Sequence, residues 1–110
     1  AASDVYKRQP LGGICIAPIM IAKVLQNMGR GGRLTAGFDE KISSVIESMG
    51  VSIEKVDAKS IAVDYKNKIV SAPAYVETKL INEVDEGITK LVNQLLKMIY
   101  CYLSLIVIVP

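Results

Sequence analysis

The chain has 110 residues, 51% of them hydrophobic and 22% charged, with a formal net charge of +2 and no histidine. That is one domain at most, too apolar to be disordered and too evenly charged to suggest a nucleic-acid or acidic-lipid partner. Without histidine the chain cannot by itself build a Ser-His or Cys-His dyad or most catalytic zinc sites, and two cysteines 86 positions apart make no disulfide framework.

Residues 1–9 fit no strand or helix pattern and hold no apolar core of a secretory signal. The run Ser3-Asp4-Val5-Tyr6-Lys7-Arg8-Gln9 reads as a translated sequencing-adapter remnant, so this segment is expected to be non-native. The expected domain occupies residues 10–98. It opens with Leu11-Gly12-Gly13-Ile14-Cys15, a short apolar run that suits a buried parallel strand. Helical signals follow at once: Pro18 suits a first turn, Ile19, Ala22, Lys23 and Leu25 continue the pattern to Met28, and Gly29 stops it. Arg30-Gly31-Gly32-Arg33 reads as a flexible turn. Its glycines superficially suggest a phosphate cradle, but the run lacks the G-x-x-x-x-G-K-[ST] spacing and follows a helix rather than a strand.

Residues 34–37 suit a short strand, and Asp39 caps a helix over 40–49 that ends at Gly50. Ile42, Val45, Ile46 and Met49 are expected on its buried face. Residues 51–56 alternate as a strand does. Ile61-Ala62-Val63-Asp64 and Lys68-Ile69-Val70-Ser71 pair as a hairpin, with Asn67 available for a positive-φ turn position. After Pro73 the last helix is expected over 75–98, with Leu80, Ile81, Val84, Ile88, Leu91, Val92 and Leu95 at i, i+3/i+4 spacing. Residues 99–110 form an apolar tail of doubtful origin. Counted back to Leu91 it nears the length of a membrane span, yet Asn93, Gln94 and Lys97 lie in the first third, and a lysine at midspan costs roughly 2.5–3.5 kcal/mol. No membrane association is expected.

The order strand, helix, strand, helix, strand, hairpin, helix places the chain in the α/β class. Parallel strands joined by helices need both faces covered, and two or three helices cover little, so the piece reads as the C-terminal half of a larger doubly wound sheet. Alone it would expose a strand edge and an apolar face, both aggregation-prone.

Cys15 sits at the junction of the first strand and the first helix. There the positive end of a helix dipole favours negative charge, and the attacking form of a thiol is its anion. Backbone N–H groups of Ile16 and Gly13 are the candidate oxyanion donors, and Gly12, Gly13 and Ala17 are small enough for the tight turn an exposed nucleophile needs. Against this stands the ordinary fate of a free cysteine, an inert buried thiol. Cys101, in the tail, is read as inert. Asp39, Glu40 and Asp64 lack metal-ligand spacing, and no metal is expected.

Around Cys15 the segment Pro10-Leu11-Gly12-Gly13-Ile14-Cys15-Ile16-Ala17-Pro18 resembles the P-x-G-x-x-C-I-A-P segment of the ElbB family, known also as enhancing lycopene biosynthesis or sigma cross-reacting proteins. Further matches follow in register. Thr35-Ala36-Gly37-Phe38-Asp39 is similar to the family's T-x-G-x-D, and Met49-Gly50 to its M-G. Val63-Asp64, then Asn67-Lys68-Ile69-Val70-Ser71-Ala72-Pro73-Ala74-Tyr75, resembles V-D…N-K-I-V-T-T-P-A-Y, and Gly87-Ile88 with Lys90-Leu91-Val92 resembles G-I-x-K-L-V. The similarity covers residues 10–96 and breaks off at both ends.

The resemblance implies the PfpI-like superfamily and a flavodoxin-like, class I glutamine amidotransferase-like fold. It implies a cofactor-independent glyoxalase linked to isoprenoid biosynthesis, which converts 2-oxoaldehydes such as methylglyoxal or glyoxal to hydroxy acids. The residue at the Cys15 position would add to the aldehyde while a glutamate from the N-terminal half moves protons. None of Glu40, Glu47, Glu54, Glu77, Glu83 or Glu86 lies in a matching motif; each reads as a solvated charge, so the fragment is expected to be inactive as given. Relatives with a histidine directly after the cysteine differ from this chain, which has Ile16 there. The implied partners are a small 2-oxoaldehyde substrate and, for the full-length protein, a second copy in a homodimer; the implied location is cytoplasmic. The competing readings are a non-catalytic regulatory or interaction protein on the same fold, tied to isoprenoid metabolism, and a tail-anchored protein using residues 91–109.

Overall fold

The structure, a computed structural model, describes the backbone of residues 10–108 and the side chains of residues 10–99. The expected non-native segment at 1–9 therefore lies outside the described residues, as does the side chain of Cys101. The elements are strand β1 (Leu11–Ile14), helix α1 (Ala17–Asn27), β2 (Arg33–Leu34), α2 (Glu40–Ser48), β3 (Ser52–Ile53), β4 (Ala62–Asp64), β5 (Ile69–Ala72), a 3-10 turn (Ala74–Val76) and α3 (Ile81–Ile108).

Three strands make one sheet in the order β1-β5-β4, with β1 and β5 parallel, β4 and β5 antiparallel; β2 and β3 form a separate parallel pair. β5 is central and all four of its residues are buried. Successive side chains of a strand point to opposite faces, and that alternation divides the core. Ile69 joins Leu25, Leu34 and Ile46, all fully buried, in the cluster beneath α1 and α2. Val70 and Ala72, on the other face, meet Leu91 of α3 with Leu95 and Met98 beside it. Each fully buried Leu or Ile stabilises the fold by roughly 1.5–3 kcal/mol.

β1 is sandwiched between helices. Gly13 lies under α1 so closely that a Cβ there would come within 2.5 Å of Ile21 Cδ1. A larger residue would push α1, and with it Cys15, away from the sheet. Among the described residues the other edge of β1 pairs with no strand.

Several details differ from the sequence-based expectations. The strand expected over 51–56 shortens to two residues, and the last helix begins at Ile81, because 74–76 tightens into the 3-10 turn. Val45 is 43% exposed, and Ser43 takes its place on the buried face of α2. Leu80, Ile81 and Val92 are likewise exposed; α3 buries the narrower stripe of Val84, Gly87 and Leu91. The positive φ of the hairpin falls on Lys68 (φ 59), not Asn67. Asn67 is buried instead and spends its side chain on hydrogen bonds, described below. The backbone of the tail continues α3 as far as Ile108, and no described helix is long and apolar enough to cross a membrane.

Candidate active site

β1 ends at Ile14, α1 begins at Ala17, and Cys15 makes the corner between them. Its N–H donates to the Ala72 carbonyl at 3.0 Å, extending the β1–β5 ladder by one bond. Its φ is +65, a left-handed conformation that costs an L-residue with a side chain about 1–2 kcal/mol. Such strain at a strand-to-helix corner lifts a side chain out of the sheet, as a nucleophile elbow does. Cys15 is accordingly half-buried, in contact with solvent.

The first turn of α1 has no side-chain cap. Ile16 is the N-cap residue, 58% exposed, with no side-chain oxygen to accept an N–H; Pro18 lacks a donor, and no acidic residue stands in that turn. The Ile16 and Ala17 amides are thus among the helix-start donors without intrahelical partners. Gly13, the other donor named from sequence, lies inside β1 opposite Ser71. Leu11 donates to the Lys68 carbonyl just before β5 and Cys15 to the Ala72 carbonyl at its end, and a parallel strand directs every second N–H to the same side, so the Gly13 amide is aimed at β5.

The same end of the sheet carries a second strained corner. Ala74, two residues beyond Ala72, has φ +47. β2 runs in the same sense as β5, since Arg33 meets Asp64 near the start of β5 while the Thr35 N–H donates to Ser71 Oγ at 3.0 Å further on. The loop at 35–38 therefore reaches the end where Cys15 sits. Thr35 Oγ1 accepts from the Gly37 N–H at 3.1 Å, and Glu77, just after the 3-10 turn, accepts from the Phe38 N–H at 2.8 Å. Gly37 has φ +65, and a Cβ there would stand 2.5 Å from Glu77 Oε2, so only glycine fits between the carboxylate and the loop. Glu77 is thus a loop clamp rather than the solvated charge expected. No sequence signal pointed to it, because its partner is a backbone amide 39 positions away. Phe38 and Tyr75 are 52% and 55% exposed at this end. Ligands of open α/β sheets bind beyond the carboxyl ends of the strands, and Cys15, Ala74 and the 35–38 loop converge there.

At the opposite end, Asp64 and Asn67 organise the turn after α1. Asp64 Oδ2 accepts from the Arg33 N–H at 2.9 Å and from Asn67 Nδ2 at 2.8 Å, while Oδ1 accepts from the Asn67 N–H at 3.1 Å. Asn67 Nδ2 also donates to the Gly31 carbonyl at 3.0 Å. The turn at 30–33 is therefore pinned, not the flexible connector expected. Burial pushes the Asp64 carboxyl up, but the hydrogen bonds from Asn67, Arg33 and Lys66 outweigh it and hold it below the ordinary carboxylate value. Among the described residues no three His, Cys, Asp or Glu side chains are grouped to hold a metal ion.

Comparison with known proteins bears on this geometry. No protein-family model matches the chain. A solved structure from Ehrlichia chaffeensis, an isoprenoid biosynthesis protein with an amidotransferase-like domain, superposes with a TM-score of 0.77 at 23% identity, over 87% of this chain and 44% of that one. The chain has a class I glutamine amidotransferase-like fold. Two relatives carry the same message in sequence. The chain is 28% identical over 99 residues to the human glutamine amidotransferase-like class 1 domain-containing protein 3, mitochondrial, and 25% identical over 100 residues to the rat ES1 protein homolog, mitochondrial. It spans 35% and 36% of their lengths. The amidotransferase-like assignment agrees with the resemblance drawn from the motifs around Cys15. Both relatives are named as mitochondrial, so the cytoplasmic expectation draws no support from them.

Proposed function

We propose that this amidotransferase-like chain carries the thiol half of a glyoxalase-type site, with Cys15 as the nucleophile. The observation that supports the reading is the Cys15 corner: a left-handed, partly exposed thiol at the start of an uncapped helix. In this reading the Cys15 sulfur adds to the aldehyde carbon of a 2-oxoaldehyde, and the aldehyde oxygen, carried through a developing negative charge, meets the Ile16 and Ala17 amides before it takes a proton. A base removes the hydrogen on that carbon as a proton and returns it to the neighbouring carbon, which converts the thiohemiacetal to a thioester of the 2-hydroxy acid. Water then cleaves the thioester and frees the thiol. One water is consumed overall and no oxidant is needed, consistent with a cofactor-independent enzyme. The base is assigned to a glutamate outside the 10–96 segment, because Glu77 is occupied with the Phe38 amide.

The test is methylglyoxal turnover by the protein containing this chain, followed by NMR detection of lactate. The expected result is turnover in the parent and none in Cys15→Ala at unchanged circular dichroism. Turnover that survives in Cys15→Ala, or a folded parent with no turnover, overturns the reading and favours a binding role on the same fold.

A further inference from the structure

The end of the molecule away from Cys15 holds an open depression of about 430 Å³, within the range of small-molecule sites. Its walls come from three places: the pinned turn with Gly31, Gly32 and Arg33, the start of β3 at Ser52, and the hairpin tip with Tyr65 and Lys66. We infer that this depression binds the phosphoryl or diphosphoryl group of a small phosphorylated molecule. The inference is independent of the chemistry proposed for Cys15.

Donors supply the first argument. Arg33 and Lys66 are both exposed on the walls, and among the described residues neither side chain is seen in an ion pair. No described acceptor takes the Gly31 or Gly32 amide, and the Ser52 hydroxyl lies on the same rim. A guanidinium fork, an ammonium, a hydroxyl and backbone amides carried by separate elements of the wall suit an anion with several oxygens better than a two-oxygen carboxylate.

The one acidic group on the wall is outnumbered by the Arg33 and Lys66 cations and is itself withdrawn from the surface. Asp64 is 7% exposed, and both its oxygens already accept hydrogen bonds from Arg33 and Asn67. Those bonds pin the turn, which pre-orders the donors and lowers the entropic cost of binding. Arg30, next to Gly31, adds a further positive charge to the approach. Tyr65, 74% exposed, gives the remainder of the molecule a ring to lie against.

Sodium pyrophosphate is the probe. It is titrated into the purified protein at constant ionic strength while backbone amide resonances are followed, with sodium sulfate as the control anion. We expect saturable shifts confined to residues 31–33, 52 and 65–67, much weaker sulfate binding, and about tenfold weaker pyrophosphate binding in Arg33→Ala and in Lys66→Ala. Lys66→Arg should bind nearly as the parent does. Both positions are exposed, so folding is not at stake, and unchanged alkylation of Cys15 verifies it in each variant. Absence of saturable binding, equal binding of sulfate, or pyrophosphate binding that survives both alanine substitutions overturns the inference.

Discussion

The two ends of the sheet are organised on opposite principles. At the carboxyl ends of β1 and β5 the backbone is strained: Cys15 and Ala74 are left-handed without being glycine, and neither lies in a hairpin turn. At the other end the one left-handed residue among the described residues that is not glycine, Lys68, stands where the β4–β5 hairpin closes, and the structure around it is dominated by satisfied hydrogen bonds to Asp64 and Asn67. One end holds conformational energy at the corner that carries the Cys15 thiol. The other is a rigid frame around an open depression. The difference teaches that strain and satisfaction can sit at opposite ends of one small domain, since strain persists only where the surrounding structure over-determines it.

Substitutions can break this comparison, beginning with the frame. Asp64→Ala leaves the Arg33 and Asn67 backbone amides without their acceptor and the Asn67 side chain with the Gly31 carbonyl alone, each a partly or fully buried donor. A loss of about 2–4 kcal/mol is expected, read as the shift in urea midpoint at pH 7. The 30–33 turn should also gain amide hydrogen exchange.

At the strained end, Gly37→Ala forces a side chain into left-handed backbone and against Glu77 Oε2. It should cost about 2 kcal/mol, and the Phe38 amide should exchange faster in the same sample. Cys15 sharpens the point through two variants that both lack the thiol. Cys15→Gly should be more stable than Cys15→Ala by about 1 kcal/mol, because only glycine removes the strain of φ +65. Equal stability of the two would mean that the corner stores no strain.

Acid provides the smallest and most selective effect. The Asp64 carboxyl is held below its ordinary value in the folded state, so its contribution is fully present above that ordinary value, about pH 4, and fades as pH falls through the lower folded one. The stability difference between the parent and Asp64→Asn should therefore be constant from pH 7 to about pH 5 and shrink in the acid range below about pH 4. A difference that does not change with pH would show that the Asp64 charge plays no part in the frame.

Much of this architecture is legible in the chain. The Asp39 cap accepts from the Ile42 N–H at 2.9 Å as its position before Glu40 implies, and Gly29 and Gly50 end helices as read. The strand-to-helix corner at Cys15 follows from an apolar run meeting Pro18, and the motifs around it pointed to the amidotransferase-like fold. What the local pattern misjudged depends on distant partners. The Leu80, Ile81 and Val92 positions have helical spacing, but which of them are buried depends on where β5 and β1 lie beneath α3. Glu77 looks like any surface charge until the 35–38 loop is brought against it.

By itself, then, the sequence determined the element types, the helix stops and the cysteine at a corner, because propensity, capping and periodicity act within a few residues of one another. The tertiary structure alone decided that Asn67 frames rather than turns, that Glu77 clamps a loop, and that Arg33, Ser52 and Lys66 share one depression. These relations join residues up to 39 positions apart through backbone amides and loop walls, which leave no periodic trace in the order of side chains.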